Sequence, residues 1–332
     1  MYRSVYRLTN TVSRTGCCTR KALRRKVAHP TVPGSEPVGS RSARLKILSV
    51  SQHKGGVGKT SLCKILAVGF ARMGQRVLAI DLDSQCNLSK RFLEMIRDPD
   101  LPDGSRPPVH PEYDPSDMDW SGTSSSADIF MGREVVPYPT GIPNLDVLPG
   151  NGEDLREIEH VTLEGAVASV HGALREFLRT EAVESQYDII IIDTPPSKNA
   201  LVHAAIRAAT HVIVPSVMEP NSVDGLEGMI ALWTQESRSR AENDEIVMIG
   251  ILPNMYRSNV ALHAGVRKSL IDDRLIGPMM IQLHLAQRAA FAESDHDSAR
   301  PGSVFTLPAK NAARKEAENV VKHIAQVMGV SA

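Results

Sequence analysis

The stretch Val50–Leu62, VSQHKGGVGKTSL, constrains this chain more than any other. Three glycines, Gly55, Gly56 and Gly58, stand between an apolar run, Leu45–Val50, and an apolar-periodic segment, Leu62–Met73. Glycine lets a backbone turn its N–H groups inward without a Cβ clash. A helix beginning there points its positive end at the same spot, which favours a polyphosphate. Strand, glycine loop and helix in that order predict a phosphate-binding loop. Its expected contacts are Gly55, Gly56, Val57, Gly58, Lys59, Thr60 and Ser61, with Lys59 on the β- and γ-phosphates and Thr60 holding Mg²⁺.

The ordinary spacing, G-x-x-x-x-G-K-[ST], requires glycine where this chain has His53. K-G-G-x-G-K-T takes its place, with a second lysine, Lys54, at its head. This resembles the deviant Walker A loop of the ParA/MinD family of ATPases, to which the nitrogenase iron protein is related. The resemblance implies that Lys54 reaches across a nucleotide-sandwich dimer to the partner's phosphates.

Three later segments follow the same family pattern. Arg76–Asp83 (RVLAIDLD) reads as a buried strand delivering Asp81 and Asp83 to the carboxyl end of a parallel sheet, where open α/β folds bind ligands. Its continuation resembles D-x-D-P-Q-G-N, with Ser84 for proline and Cys86 for glycine. That match implies that Asp83 positions the attacking water and that Gln85 and Asn87 line a switch loop. Tyr187–Thr194 (YDIIIIDT) is apolar enough for full burial and ends at Asp193, as a Walker B strand does when its carboxylate holds Mg²⁺ through water. Ser216–Leu226 (SVMEPNSVDGL) resembles the family's E-P turn and following helix, with Glu219 and Pro220 in register. After a further strand, Ile246–Pro253, Asn254 stands where an amide can recognise adenine.

Between these landmarks the patterns are plainer. Glu153–Glu184 is helix-like, with an apolar face at Val161, Val167, Val170, Leu174, Phe177 and Leu178. Ala127–Phe130 and then Asn144–Pro149 resemble the family's segment before its next helix; a short strand is expected at His211–Pro215 and a last one at Gly277–Leu283. Val260–Leu275 reads as a helix carrying Arg267, Lys268 and Arg274; the family resemblance implies that basic surface residues of this C-terminal third contact DNA, and a solvated face explains the three equally well. Residues 98–126 hold six prolines, many acids and a GTSSS run, and read as a surface insertion or mobile loop in which Tyr113 and Trp120 are local anchors. Asp295, His296 and Asp297 read as an exposed acidic loop rather than a metal site. The stripe Val320, Val321, Ile324 and Val327 is expected to pack on the core.

Charge is unevenly spread along the 332 residues. Positions 1–45 carry ten cations against Glu36 alone, so in a chain of formal net charge +0 the remainder carries −9. Residues 1–44 therefore read as a basic, unfolded arm. A DNA-binding arm, an organellar transit peptide and an upstream start codon all remain open for it. The four cysteines, Cys17, Cys18, Cys63 and Cys86, lack C-x-x-C spacing and read as reduced thiols. No apolar run approaches the roughly 18 residues of a membrane span.

The expected fold is α/β: a doubly wound, mostly parallel sheet with helices on both faces, formed by one domain over 45–330. What the resemblance implies is a cytoplasmic, nucleoid-associated DNA-partition ATPase using ATP and Mg²⁺. It would bind DNA nonspecifically as an ATP-bound homodimer, with release by a ParB-type partner and slow intrinsic hydrolysis. The alternatives are a MinD-like membrane-associated regulator and a family ATPase serving assembly of a cellular machine. The tail VVKHIAQVMGVSA has no aromatic residue and few cations, which argues against membrane attachment. The turn after Asp193 lacks the cysteine an iron–sulfur reductase needs.

Overall fold

The computed structural model describes residues 44–97, 104–116, 120–220, 223–242, 244–296 and 302–331. The expectations for the arm, for parts of 98–126, for Asn221 and for Asp297 lie outside the described residues.

The strands are β1 (Lys46–Val50), β2 (Val77–Asp81), β3 (Ile96–Arg97), β4 (Ser105–Arg106), β5 (Tyr138–Pro139), β6 (Leu145–Leu148), β7 (Ile189–Asp193), β8 (His211–Ser216) and β9 (Val247–Pro253). Seven of them form one sheet in the order β5-β6-β2-β7-β1-β8-β9, parallel throughout except for the β5–β6 edge pair. β3 and β4 pair antiparallel as a separate ribbon. The helices are α1 (Lys59–Arg72), α2 (Asn87–Phe92), α3 (Ala127–Met131), α4 (Gly152–Glu159), α5 (Glu164–Leu178), α6 (Glu181–Gln186), α7 (Ala200–Ala208), α8 (Val223–Ser239), α9 (Ala261–Asp272), α10 (Ala289–Ser294) and α11 (Ala312–Met328).

Alternation along the strands sends successive side chains to opposite layers. Ile190 and Ile192 of β7 join a core with α3, α5, α7 and α8, whereas Ile189 and Ile191 join one with α1 and α11. Both faces are covered, which is why β7 can be four isoleucines in a row. On the second face α11 comes so close to α1 that a Cβ on Gly69 would lie 2.5 Å from Val321 Cγ2. Val320, Val321, Ile324 and Met328 are buried there, while Val327, expected in the stripe, is 39% exposed.

The chain crosses from β1 to β2 and returns through β7 between them. This puts the ends of β1, β7 and β2 side by side, with Asp193 in register with both Val50 and Asp81. The glycine loop, the Asp81–Asp83 turn and Asp193 therefore converge at the carboxyl edge of the sheet, where its strand order reverses.

Several sequence expectations change. The long helical run from Glu153 becomes α4, α5 and α6, because Asn151 caps α4 and the chain breaks at Val161–Leu163 and again at Thr180. Gly277–Leu283 is not a strand. Gly277–Met279 forms a 3₁₀ turn, and only the single bridge Ile251–Met280 continues the sheet. Pro278 supplies no N–H to a ladder, and Gly277 lies against Ile271 O where a Cβ would be 2.3 Å away. The end of the 98–126 stretch is interior rather than surface: Trp120, Ser124, Ser125 and Ser126 are buried. Trp120 Nε1 donates to Thr123 O at 3.0 Å and its ring meets His110 and Tyr113 edge-on. The hydroxyls of the serine run are spent inside the fold: Ser124 Oγ donates to Glu134 O, Ser125 Oγ to the Asp128 carboxylate and Ser126 Oγ to Asp81 O.

Candidate nucleotide site

The loop between β1 and α1 turns through Gly56 (φ 72°) and Gly58 (φ 81°), both in the left-handed region that favours glycine. Gly58 has a second reason to be glycine. Asn254 Nδ2 donates to Val57 O at 2.7 Å, and a Cβ on Gly58 would sit 2.4 Å from that nitrogen. Asn254, nominated for adenine, is thus inside the site, but here its amide donor holds the inner turn of the loop.

Lys59 is buried, and its Nζ donates to Gln52 O (3.1 Å) and Lys54 O (3.3 Å), spanning the loop from within. Burial lowers its pKa, against the raising effect of Asp193 and Asp83. The side chain of Lys54, at the loop's head, is half-buried and points to the turn before α8, with Nζ 3.5 Å from the Glu219 carboxylate. That turn and α8 press on the loop's head: a Cβ on Gly225 would lie 2.8 Å from Gln52 Oε1, and one on Gly228 would lie 3.0 Å from His53 Cδ2.

Thr60 Oγ1 donates to Asp193 Oδ2 at 2.7 Å. The other oxygen, Asp193 Oδ1, is buried and has no hydrogen-bond partner. Burial pushes the Asp193 carboxyl well up, and the neighbouring Asp81 and Asp83 push the same way. Asp81 is pushed up to about 6, chiefly by burial. Its oxygens are fully used in the turn, accepting from Asp83 N, Ser89 N and Ser89 Oγ. Asp83 accepts Gln85 N at 3.0 Å, and its pKa is raised by burial. Cys86, where the family pattern has glycine, sits at φ 52°, ψ 35°, the left-handed conformation that glycine adopts without strain.

Three buried carboxyl groups stand against one buried ammonium, and burial opposes ionisation of all three, which fits a site where a cation would hold them ionised. Among the described residues no three His, Cys, Asp or Glu side chains converge on one metal position. The donor set therefore suits Mg²⁺, which takes one or two protein oxygens and completes its shell with water and phosphate oxygens.

The other nominated residues are placed differently. Arg267 is half-buried, donates to Gln282 O at 2.7 Å and lies 5.3 Å over the Tyr256 ring; Lys268 pairs with Asp272 one turn on; Arg274 is exposed. Asp295 is buried rather than in an exposed loop. It accepts from Ser61 Oγ and lies 3.4 Å from Lys64, contacts that no spacing in the sequence signals.

A parallel sheet with a lysine-bearing glycine loop after its first strand and an aspartate ending the neighbouring strand defines the class of P-loop ATPases. The profile of the AAA domain family matches residues 45–247. Among curated proteins, the chain is 31% identical to the chromosome partitioning protein ParA of Caulobacter vibrioides over 230 residues, covering 68% of this chain and 75% of that one. It is 26% identical to the chromosome-partitioning ATPase Soj of Thermus thermophilus, covering 85% and 98%. To a putative replication protein A of Rhizobium rhizogenes it is 28% identical, covering 84% and 69%. A crystal structure of a putative plasmid partition protein from Borrelia burgdorferi bound to AMPPNP shares the fold, with TM-score 0.62 at 19% identity, covering 86% of this chain and 100% of that one. The chain belongs to the ParA/Soj-type partition ATPases.

Proposed function

We propose that the chain is a DNA-partition switch in which ATP binding closes a homodimer and hydrolysis opens it. The observation that carries this reading is the division between its two loop lysines: the Lys59 side chain fills the loop's interior, while that of Lys54 turns away from it to Glu219. A lysine whose side chain turns away from its own loop can serve a facing subunit.

In this reading the N–H groups of Gly55, Gly56, Val57, Gly58, Lys59, Thr60 and Ser61 take the phosphates, and Lys59 exchanges its loop carbonyls for β- and γ-oxygens. Thr60 and, through water, Asp193 hold Mg²⁺, which when bound neutralises charge on those oxygens. Asp83 orients the attacking water. Its oxygen bonds to the γ-phosphorus, the bond to the β,γ-bridging oxygen breaks, and ADP and phosphate are released with one proton. Asn254 steadies the loop, and adenine contact would fall to its carbonyl oxygen or require its donor to change partners.

DNA would be bound nonspecifically through phosphates. Lys268 and Arg274 remain candidates at the surface, whereas Arg267 first has to leave Gln282 and Tyr256. A body carrying −9 suits binding that appears only when dimerisation assembles a local basic patch. A ParB-type partner would stimulate hydrolysis and release. The MinD-like alternative is disfavoured by α11, whose apolar side is used against α1. No helix of the described residues is long and apolar enough to cross a membrane.

The test is DNA binding with ATP, with ADP and without nucleotide across a salt series, for the full chain, a truncation near Arg44, and Lys54→Ala. ATP-dependent, salt-steep binding that survives truncation and is lost in Lys54→Ala is the expected result. Binding indifferent to nucleotide and lost with the arm would overturn the reading.

A further inference from the structure

Helix α1 has no side-chain cap and no acid in its own first turn. The anion that the amino end of a helix favours comes instead from far along the chain. Asp295, which follows α10, accepts a hydrogen bond from Ser61 Oγ, although the two residues are 234 positions apart. The same carboxylate lies 3.4 Å from Lys64, one turn further along α1 and itself buried, whose Nζ also donates to Ser294 O. Arg91, on α2 just beyond the Asp83–Asn87 turn, donates to Asp295 O. One short segment therefore ties together the first turn of α1, the helix after the aspartate turn, and the C-terminal part of the fold. The cleft left between Ser61, Lys64, Phe291 and Asp295 measures only about 10 Å³, close to the space of one water.

A serine hydroxyl has a single proton to donate. While Ser61 gives it to Asp295, it cannot give it to a phosphate oxygen, and the carboxylate beside it repels an incoming anion. We propose that Asp295 is an internal stand-in for phosphate: it occupies the Ser61 hydroxyl and the field at the start of α1, and nucleotide must displace it to bind fully. Asp295 is thus a positioning residue that sets nucleotide affinity. Because Arg91 holds the same segment, displacement is also felt at α2. The inference rests on the reading of Gly55–Ser61 as the phosphate site.

The experiment is calorimetric titration of Mg·ADP into the full chain, Asp295→Asn, Ser61→Ala and the double variant. Removing the carboxylate's charge while keeping its shape should tighten binding by roughly three- to tenfold, the net scale of one ordinary hydrogen bond. In the Ser61→Ala background most of that gain should vanish, an outcome that a merely structural change would not produce. Thermal melts without nucleotide check folding. If Asp295→Asn unfolds by leaving Lys64 buried alone, the pair Asp295→Asn/Lys64→Met carries the same comparison. Equal or weaker binding by Asp295→Asn, or an unchanged gain without the Ser61 hydroxyl, overturns the proposal alone. Failure of both the wild type and Asp295→Asn to bind Mg·ADP overturns the phosphate-site reading together with it.

Discussion

Thr60 and Asp193 lie 133 positions apart in sequence and meet in a 2.7 Å hydrogen bond, Oγ1 to Oδ2. The contact joins the first turn of α1 to the end of β7, and the parallel register of β1 with β7 makes it possible. It leaves Asp193 Oδ1 buried without a partner. An unmade hydrogen bond at a buried group costs about 1–3 kcal/mol, more when charged. That cost is consistent with a site completed by a cation.

Asp193→Asn should therefore separate stability from activity. Removing a carboxyl whose ionisation burial opposes is expected to stabilise the nucleotide-free protein by about 1–3 kcal/mol in denaturant titrations near neutral pH. ATP hydrolysis should fall by about a hundredfold or more, and EDTA should abolish it in the wild type. Hydrolysis that persists in Asp193→Asn would refute the metal role.

Lys54 and Glu219 form a partly exposed pair, and such pairs contribute about 1 kcal/mol or less. Lys54→Ala is expected to keep its fold stability to within about 1 kcal/mol. Its ATP-dependent dimer, followed by sedimentation, should be lost together with hydrolysis. A dimer that still forms with ATP would show that Lys54 does not act across subunits.

Gly69→Ala sets two effects against each other. Alanine favours a helix interior by about 1 kcal/mol over glycine. The new Cβ, however, would lie 2.5 Å from Val321 Cγ2, and overpacking costs about 1–3 kcal/mol. We expect net destabilisation, and the opposite sign for the same change made in a Val321→Ala background, which has room for the methyl. The free energies of unfolding of the two variants, each against its parent, decide this.

His211 governs one branch of the acid response. Burial first, and Lys46 second, depress its pKa from 6.5 to about 4. The folded state thus keeps His211 neutral in a range where the unfolded chain protonates it. Stability is fully present above pH 6.5 and declines as the pH falls toward about 4, by about 3 kcal/mol in all. His211→Gln should flatten that part of the stability profile, measured as urea midpoints between pH 7 and pH 4. An unchanged slope would place the acid sensitivity elsewhere.

Cys86 occupies a left-handed position that costs a residue with a Cβ about 1 kcal/mol or more. Cys86→Ala and Cys86→Gly both lose the buried sulfur, but only the first keeps the strain. Glycine should be the more stable replacement by about 1 kcal/mol in thermal or chemical unfolding.

What the sequence determined by itself was local and periodic. The glycine loop, the buried strands Lys46–Val50, Val77–Asp81 and Ile189–Asp193, and the placement of Lys59, Thr60, Asp83 and Asp193 at the carboxyl ends of those strands were legible. Backbone geometry at glycine and alternation along a strand depend only on near neighbours. Tertiary structure decided whatever depends on which surfaces meet. Gly277–Leu283 looked extended, but Pro278 and the approach of Gly277 to Ile271 turned it into a 3₁₀ segment. The GTSSS run looked like surface because serine is polar, yet Ser124, Ser125 and Ser126 spend their hydrogen bonds on interior backbone and on Asp128. Asp295 looked solvated because its partners, Ser61 and Lys64, lie more than 200 positions away. No periodicity encodes a contact of that separation; only the packing of the C-terminal segment against α1 and α2 creates it.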